Sequence, residues 1–227
     1  MSAPIIAIDG PSGSGKSSTS RGVADRLGLR YVDTGAMYRA MTLWMLNNRV
    51  DVDDPTAVAR QCEEPVITMG VDPTQPGVWV DGVDVAAAIR EPRVADAVSR
   101  VAAVPEVRER LVGLQRELVH AAIESGEGVV MEGRDIGTVV LPEADLKVYL
   151  TADVTARAAR RAREEEERRG EGSVAAAHAN LASRDHLDST RAVSPLTQAP
   201  DSVVIDGTDL TLDEVISAVV DALADRP

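Results

Sequence analysis

The sequence predicts an α/β fold in which helices flank a parallel sheet, and three observations carry that reading. Short β-branched apolar runs alternate with longer helix-compatible stretches along most of the 227 residues, which is the pattern of strand–helix–strand units. The first run, IIAID, leads straight into GPSGSGKS (Gly10 to Ser17) and then into a helical stretch, the setting in which a glycine-rich loop can wrap a phosphate. The last stretch opens on Thr211 and Glu214, a capping-box pair, and then sets Val215, Ile216, Val219, Val220 and Leu223 on one face, so it should close the core on the final strand.

The elements follow in order. IIAID (Ile5 to Asp9), GVVME (Gly128 to Glu132), LKVYL (Leu146 to Leu150) and SVVID (Ser202 to Asp206) read as buried strands, bounded by Gly, Asp or Thr. RYVD (Arg30 to Asp33) is a weaker fifth. Lys16 to Leu27, Thr34 to Asn48, Pro105 to Ser125 and Asp153 to Arg169 carry helical spacing or composition. From about Asp51 to Glu91 the alternation breaks: PVITMGVD and GVWVDGVDV flank the turn-rich DPTQPG, and Asp81-Gly82 is a hairpin signal. A small antiparallel insert of three short strands is expected there. No internal repeat is present. The block RAARRAREEEERR (Arg157 to Arg169) is, as a bare charge pattern, a solvated helix face.

Composition narrows the function classes. With 44% hydrophobic and 27% charged residues the chain is a folded, water-soluble type, long enough for one well-cored domain with a small appendage. It has no Phe, two Trp and three Tyr, so Val, Leu, Ile, Ala and Met must build the core and stacking platforms for nucleic acid are not expected. A net charge of −13 also opposes a polyanion, while leaving room for a small anion in a local cationic pocket. Cys62 is the only cysteine, so no intrachain disulfide or cysteine metal site can form, and His120, His178 and His186 lack ligand spacing. Without a signal-peptide pattern or an apolar run of membrane length, the cytoplasm is the expected compartment and no membrane partner is expected. No sustained heptad or large aromatic patch calls for a partner chain, so a monomer is expected.

The motif GPSGSGKS fits G-x-x-x-x-G-K-[ST] in full. Its glycines let backbone N–H groups curl round a phosphate, and the positive end of the next helix adds to the attraction. Lys16 would reach the β- and γ-phosphates and the Ser17 hydroxyl would take a place on Mg²⁺. Of 24 basic residues only Lys16 and Lys147 are lysines, so the loop asks for Lys by position rather than by composition. Glu132, closing the run VVM, suits a carboxylate near the metal; Asp33 competes for that role and Asp9 stands just ahead of the loop, and for these acids a helix cap or salt bridge is the alternative use. Arg39, Arg108, Arg134, Arg184 and Arg191 lie in DTGAMYR, PEVR, EGRD and SRDHLDSTR, which mix Arg with Asp, Ser or Thr as a phosphate and a sugar together require.

Taken together, GPSGSGKS, DTGAMYRA, SRVAAVPEVR, EGRDIGTVV and RDHLDSTRAVSPL occur in an order and at separations that closely resemble bacterial cytidylate kinases, over essentially the whole chain. The resemblance implies a three-layer P-loop kinase fold with a central parallel five-stranded sheet, a small antiparallel insert in the monophosphate-binding region and a helical lid. It implies one domain: a core of 1–33, 126–152 and 190–227, a monophosphate-binding region of 34–110 with its insert at about 51–91, and a lid at 153–189. By the same likeness ATP would lie on Gly10, Pro11, Ser12, Gly13, Ser14, Gly15, Lys16, Ser17 and Ser18 under Arg157, Arg160 and Arg161, with Gly170 to Gly172 as hinge or helix end. Thr34, Tyr38 and Arg39 would line the monophosphate site, with Arg39, Arg134 and Arg191 on the acceptor phosphate. Ser99, Arg108 and Asp135 would read the cytosine edge, and Arg184 and Asp188 would face the sugar and phosphate. Lys16, Arg134, Arg157, Arg161 and Arg191 would then carry catalysis, with Mg²⁺ on Ser17 and Glu132.

Two positions depart from the family pattern: Glu132 stands where Asp is usual, and Thr34 where Ser is common. The implied reaction is ATP + CMP to ADP + CDP, with dCMP as a second acceptor. Two other readings stand beside it. One is a P-loop kinase for UMP or a small metabolite. The other is a nucleotide-binding switch, against which the guanine motif N-K-x-D is absent, since no Lys follows Asn47, Asn48 or Asn180.

Overall fold

The computed structural model describes residues 3–170, 172–191 and 193–226. Glu171, in the stretch expected to hinge, and Ala192, in the RDHLDSTRAVSPL motif, lie outside the described residues, as do the side chains of Arg168 and Arg169. In chain order the first elements are β1 (Ile5–Asp9), α1 (Lys16–Leu27), β2 (Arg30–Asp33), α2 (Thr34–Asn47), α3 (Pro55–Gln61), β3 (Ile67–Met69), β4 (Val78–Val80) and β5 (Val83–Asp84). There follow α4 (Pro92–Val101), α5 (Pro105–Glu124), β6 (Val129–Gly133), β7 (Leu146–Thr151), α6 (Val154–Arg169), α7 (Val174–Thr190), β8 (Val203–Asp206) and α8 (Leu212–Ala224). Two sheets form, one of five strands in the order β2-β6-β1-β7-β8 and one of three in the order β3-β4-β5. All five expected strands of the larger sheet are present, their ends moved by no more than one residue.

Packing divides the chain into two compact units, residues 5–23 with 132–227, and residues up to 4 with 24–131. In the first, β1 runs parallel to β7 (Ile6 opposite Leu146, Asp9 opposite Tyr149) and β7 parallel to β8 (Val148 opposite Val203). Strands buried on both faces must be apolar almost throughout, which is why IIAI and LKVYL do not alternate. Lys147 breaks the run only because its Nζ reaches the Asp201 carboxylate, at 3.0 and 2.8 Å. The edge strand β8 leaves Val203 and Val204 exposed.

Parallel strands place the loops after β1, β7 and β8 at one end of the sheet, the position where ligands of such folds bind. Gly207 N–H donates to Thr151 O (2.9 Å) and keeps two of these loops together. Helix α8 opens on the expected capping box, Thr211 Oγ1 accepting from Glu214 N–H (3.3 Å) while Glu214 Oε2 accepts from Thr211 N–H (2.8 Å). It buries Val215, Ile216 and Val219, with Val220 and Leu223 half-buried beside them. Helices α6 and α7 meet through Ala158, Ala162, Ala177 and Leu181. Their N-termini are capped by Asp153, which accepts from Thr155 N–H (2.8 Å), and by Ser173, which accepts from Ala176 N–H (3.3 Å).

The second unit is built round α2. Its core uses Met37, Met41, Met45, Leu43, Val94, Val98, Val107 and Leu111, the aliphatic and thioether packing that a chain without Phe requires. The insert forms three antiparallel strands, with Asp81 (φ 51°) and Gly82 (φ 78°) as the turn residues between β4 and β5. Two positive φ angles in succession are what an Asp-Gly hairpin supplies. The Asp81 carboxylate also accepts from Trp44 Nε1 (3.1 Å) and Val66 N–H (2.9 Å), tying the turn to α2.

Three α-helices are not among those expected from helical spacing or composition, although α7 falls within the stretch expected to form a helical lid. Helix α3 is a short one within the insert, set by Pro55 in its first turn and by Asp54, which accepts from Thr56 N–H (2.9 Å). Helix α4 also starts on a proline, and buries Val94, Ala97, Val98 and Val101. Helix α7 has weak apolar periodicity, burying Ala177, Leu181 and Asp188, so its alanine content and its packing on α6 sustain it. Among the described residues no helix is long and apolar enough to cross a membrane.

Gly10 follows β1 at φ 151°, and a Cβ there would sit 2.0 Å from Leu150 O. We expect Gly10→Ala to lower the unfolding free energy by more than about 3 kcal/mol, read by urea denaturation. Unfolding like that of the wild type would show that the loop does not need this close approach.

Candidate active site

The loop from Gly10 to Gly15 joins the end of β1 to the start of α1. Gly13 (φ 75°) and Gly15 (φ 93°) take left-handed conformations, so the peptides between them curl instead of extending. Ser17 and Ser18 stand exposed in the first turn of α1, the end of a helix whose N–H groups can receive an anion. Lys16 is buried and turns its Nζ back onto the loop, donating to Pro11 O at 2.7 Å and Ser14 Oγ at 3.4 Å.

Burial pushes the Lys16 pKa down to about 7, and the Arg134 guanidinium pushes the same way; Glu132, Asp9 and Asp185 oppose them. Asp9 is raised to about 6, again chiefly by burial, although its carboxylate accepts from Gly137 N–H (2.7 Å) and Ile136 N–H (2.8 Å). Those bonds cap the π-helical turn Ile136–Val140, so Asp9 holds the backbone after EGRD in place. Glu132 is 3% exposed near the end of β6, and its charge favours protonated Lys16.

Arg134 and Arg191, in the same unit, each meet an acceptor. Arg134 Nε donates to Asp188 Oδ2 at 2.9 Å. Burial alone would lower the Arg134 pKa, but the carboxylates of Asp188, Asp185 and Glu132 together raise it, while Asp188 is lowered despite its own burial. Arg191 Nε donates to Ser194 O (2.5 Å), and its Nη2 lies 3.8 Å from Asp135 Oδ1. Arg184 sits half-buried on α7, close enough to help hold Asp188 ionised.

The three arginines of the charge block that the resemblance places over ATP separate. Arg157 is 7% exposed and reaches the loop, donating through Nη1 to Ser12 O at 2.8 Å and to Asp185 Oδ2 at 2.6 Å. Arg160 Nη2 turns instead to Gly207 O (2.5 Å) and Thr208 O (3.1 Å). Arg161 stays on its own helix, with Glu165 at 2.9 Å and Glu164 at 3.4 Å. The sequence could not separate them, because helical phase relative to the loop depends on where α6 docks.

In the other unit Asp33 caps α2, accepting from Ala36 N–H at 2.9 Å, so this strand-end acid is committed to the helix. Thr34 and Tyr38 are buried one turn apart on α2, and Arg39 is half-buried with Nη1 against Gly35. Arg108 from α5 is 3% exposed, lies with Cζ 5.4 Å from the Tyr38 ring centroid, and donates to Ala102 O at 3.4 Å. Ser99 is half-buried on α4. Tyr38 and Arg108, 70 residues apart in the chain, are thus brought into contact.

The oxygen donors suit a hard cation that keeps most of its water: one exposed hydroxyl, Ser17, and one buried carboxylate, Glu132. Among the described residues no three His, Cys, Asp or Glu side chains gather into a metal cage. A residue missing from the sequence reading is Asp185. Nothing in the spacing of RDHLDSTR marks it apart from Asp188; its partners lie 28 and 173 residues away.

Comparison with known proteins gives one family. The model of the family described as cytidylate kinase matches residues 6–225. A cytidylate kinase from Streptomyces avermitilis is 52% identical over 229 residues, covering 99% of this chain and 94% of the relative. Those of Streptomyces griseus subsp. griseus (53%; 96% of this chain, 92% of the relative) and Nocardia farcinica (51%; 98% and 94%) are similar to the same degree. Among solved structures, an uncharacterized protein from Eubacterium ventriosum shares the fold at a TM-score of 0.52 and 15% identity, over 98% of this chain and 99% of that one.

A lysine with its pKa near 7 must gain a proton when phosphates surround it. With the Lys16 pKa lowered to about 7, a triphosphate bound against Lys16 should raise it again, so at about pH 8 binding should take up close to one proton. Calorimetry in two buffers of different ionisation enthalpy measures this, and the uptake should fade below about pH 6, where Lys16 is already charged in the free protein. In Lys16→Arg, where the guanidinium stays protonated, it should vanish. Binding enthalpies independent of the buffer at pH 8 would contradict the lowered pKa.

Proposed function

The chain belongs to the cytidylate kinase family, and from that premise we propose how its residues divide the work of moving the γ-phosphoryl group of ATP to CMP. The chain is an ATP-dependent phosphotransferase that converts CMP to CDP. The observation that carries the division of roles is Lys16, buried on a glycine-rich loop at the start of a helix and set among arginines that are each held by a carboxylate or carbonyl.

On this reading ATP lies on the loop from Gly10 to Ser18. Loop N–H groups bind its phosphates, Lys16 offsets charge on the β- and γ-phosphates, and Arg157 covers them. Arg160 and Arg161 belong to the same lid but would have to leave Gly207 and the helix glutamates before touching ATP. Mg²⁺, held by the Ser17 hydroxyl and by Glu132 directly or through water, supplies further charge neutralisation on the phosphates when bound.

We assign the acceptor phosphate to Arg39, Arg134 and Arg191, and the cytosine edge to Ser99, Arg108 and Asp135, with Thr34 and Tyr38 lining the monophosphate. Arg184 and Asp188 serve the sugar. The attacking oxygen belongs to a phosphate already ionised near neutral pH, so no side chain need act as a base. Alignment and charge neutralisation then carry the rate, and the lid, residues 153–189, keeps water from taking the phosphoryl group. We further propose dCMP as a second acceptor, and a monomer working in the cytoplasm, in keeping with an acidic chain that has one cysteine.

Coupled ADP release with CMP, dCMP and UMP tests the acceptor: CMP and dCMP should turn over well and UMP poorly, and a chain faster on UMP would refute the assignment. Lys16→Ala should lose about 10³-fold or more in kcat with its melting temperature kept. Near-normal turnover in that folded variant would remove the loop from the mechanism. Arg108→Ala should reduce the CMP-over-UMP preference in kcat/KM by about 10- to 100-fold, and an unchanged ratio would show that Arg108 does not read the base.

A further inference from the structure

Both backbone polar groups of Ser12 are engaged by helices α6 and α7. Its N–H donates to Asp185 Oδ1 at 3.1 Å, and its C=O accepts from Arg157 Nη1 at 2.8 Å. The two side chains close the ring by bonding each other, Arg157 Nη1 to Asp185 Oδ2 at 2.6 Å. A further bond, Arg157 Nε to Ala152 O at 3.0 Å, fixes the plane of the guanidinium. One turn before Asp185 on the same face of α7, Leu181 rests on the loop: a Cβ at Gly13 would lie 3.4 Å from Leu181 Cδ2 and 3.5 Å from Arg157 Cβ.

A carboxylate beside a phosphate loop has an electrostatic cost, because it repels the anion that the loop exists to bind. Its presence therefore calls for a compensating use. Of Arg157, Arg160 and Arg161, Arg157 is the one whose side chain reaches the loop, since Arg160 and Arg161 are held by Gly207, Thr208 and the helix glutamates. Left without Asp185, the buried Arg157 would keep only carbonyl acceptors, which fix a guanidinium less firmly than a carboxylate does.

We propose that Asp185 is a positioning residue for phosphoryl transfer, holding the Arg157 guanidinium against the phosphate loop and coupling α7 to that loop. The proposal rests on the reading above that Arg157 serves the phosphates of ATP. It places no atom of Asp185 on the substrate.

The test is a double-mutant cycle in kcat and in KM for ATP, with CMP as acceptor, on wild type, Asp185→Asn, Arg157→Met and the double variant. Asp185→Ala is carried alongside in case the amide variant folds poorly, and all rates are normalised to the fraction that binds a fluorescent ATP analogue. Asp185→Asn should lower kcat about 10- to 100-fold while KM for ATP stays level or falls, because repulsion is relieved as alignment is lost. In the Arg157→Met background the same change should cost less than about 2-fold more. Additive losses, or a rise in KM with kcat unchanged, would overturn the proposal while leaving Arg157 on ATP. Wild-type kcat in Arg157→Met would remove Arg157 from ATP and this proposal with it. Failure of both Asp185 variants to fold would also overturn it, by making the carboxylate a requirement of the fold.

Discussion

Buried positive charge, and the need to balance it, is the constraint on which the loop-bearing unit depends. Lys16, Arg134, Arg157 and Arg191 are gathered in one unit without water to solvate them well, and unpaired they would cost several kcal/mol each. The unit meets this with carboxylates: Asp188 for Arg134, Asp185 for Arg157, Asp135 near Arg191, and Glu132 with Asp9 for Lys16. Lys16 is the least well served. Its Nζ bonds two loop acceptors, Pro11 O and Ser14 Oγ, and burial pushes its pKa down to about 7.

The same balance links distant parts of the chain. Asp9 ends β1 and caps the π-helical turn after EGRD, so the strand that launches the loop also sets the backbone of the next motif. Asp153 caps α6, and Arg157, one turn on, returns to Ala152 O and to the loop. Among the described residues α6 and α7 bury Ala158, Ala162, Ala177 and Leu181 against each other, and polar ties through Arg157 and Asp185 join the pair to the loop. Polar ties can be exchanged for a ligand's phosphates, whereas a large apolar interface could not open at comparable cost.

In the other unit the aliphatic core does a different task. With methionines and branched residues filling α2, α4 and α5, Tyr38 is left as an aromatic surface for Arg108, and the pair sits where one helix turn also brings Thr34. A planar guanidinium on a ring keeps its edge available for hydrogen bonding. That geometry suits recognition of a planar partner far better than a flexible lysine would, and it accords with a chain whose basic residues are almost all arginine.

Much of this was legible in the residues. The run IIAID before GPSGSGKS, the Thr211–Glu214 cap and the Asp81-Gly82 turn each act over a few neighbouring residues, so local sterics and hydrogen bonding determined them: the strands of the sheet, the phosphate loop, the last helix and the hairpin. Helices α3, α4 and α7 escaped because their signals are a single proline, a short apolar face and an alanine-rich stretch that only packing on a neighbour sustains. What the tertiary structure alone decided is pairing over long separations: which of Arg157, Arg160 and Arg161 faces the loop, which of Asp185 and Asp188 holds which arginine, and that Arg108 lies on Tyr38. A charge in the sequence has a sign but no direction, and direction comes from the docking of helices whose phase no local pattern encodes.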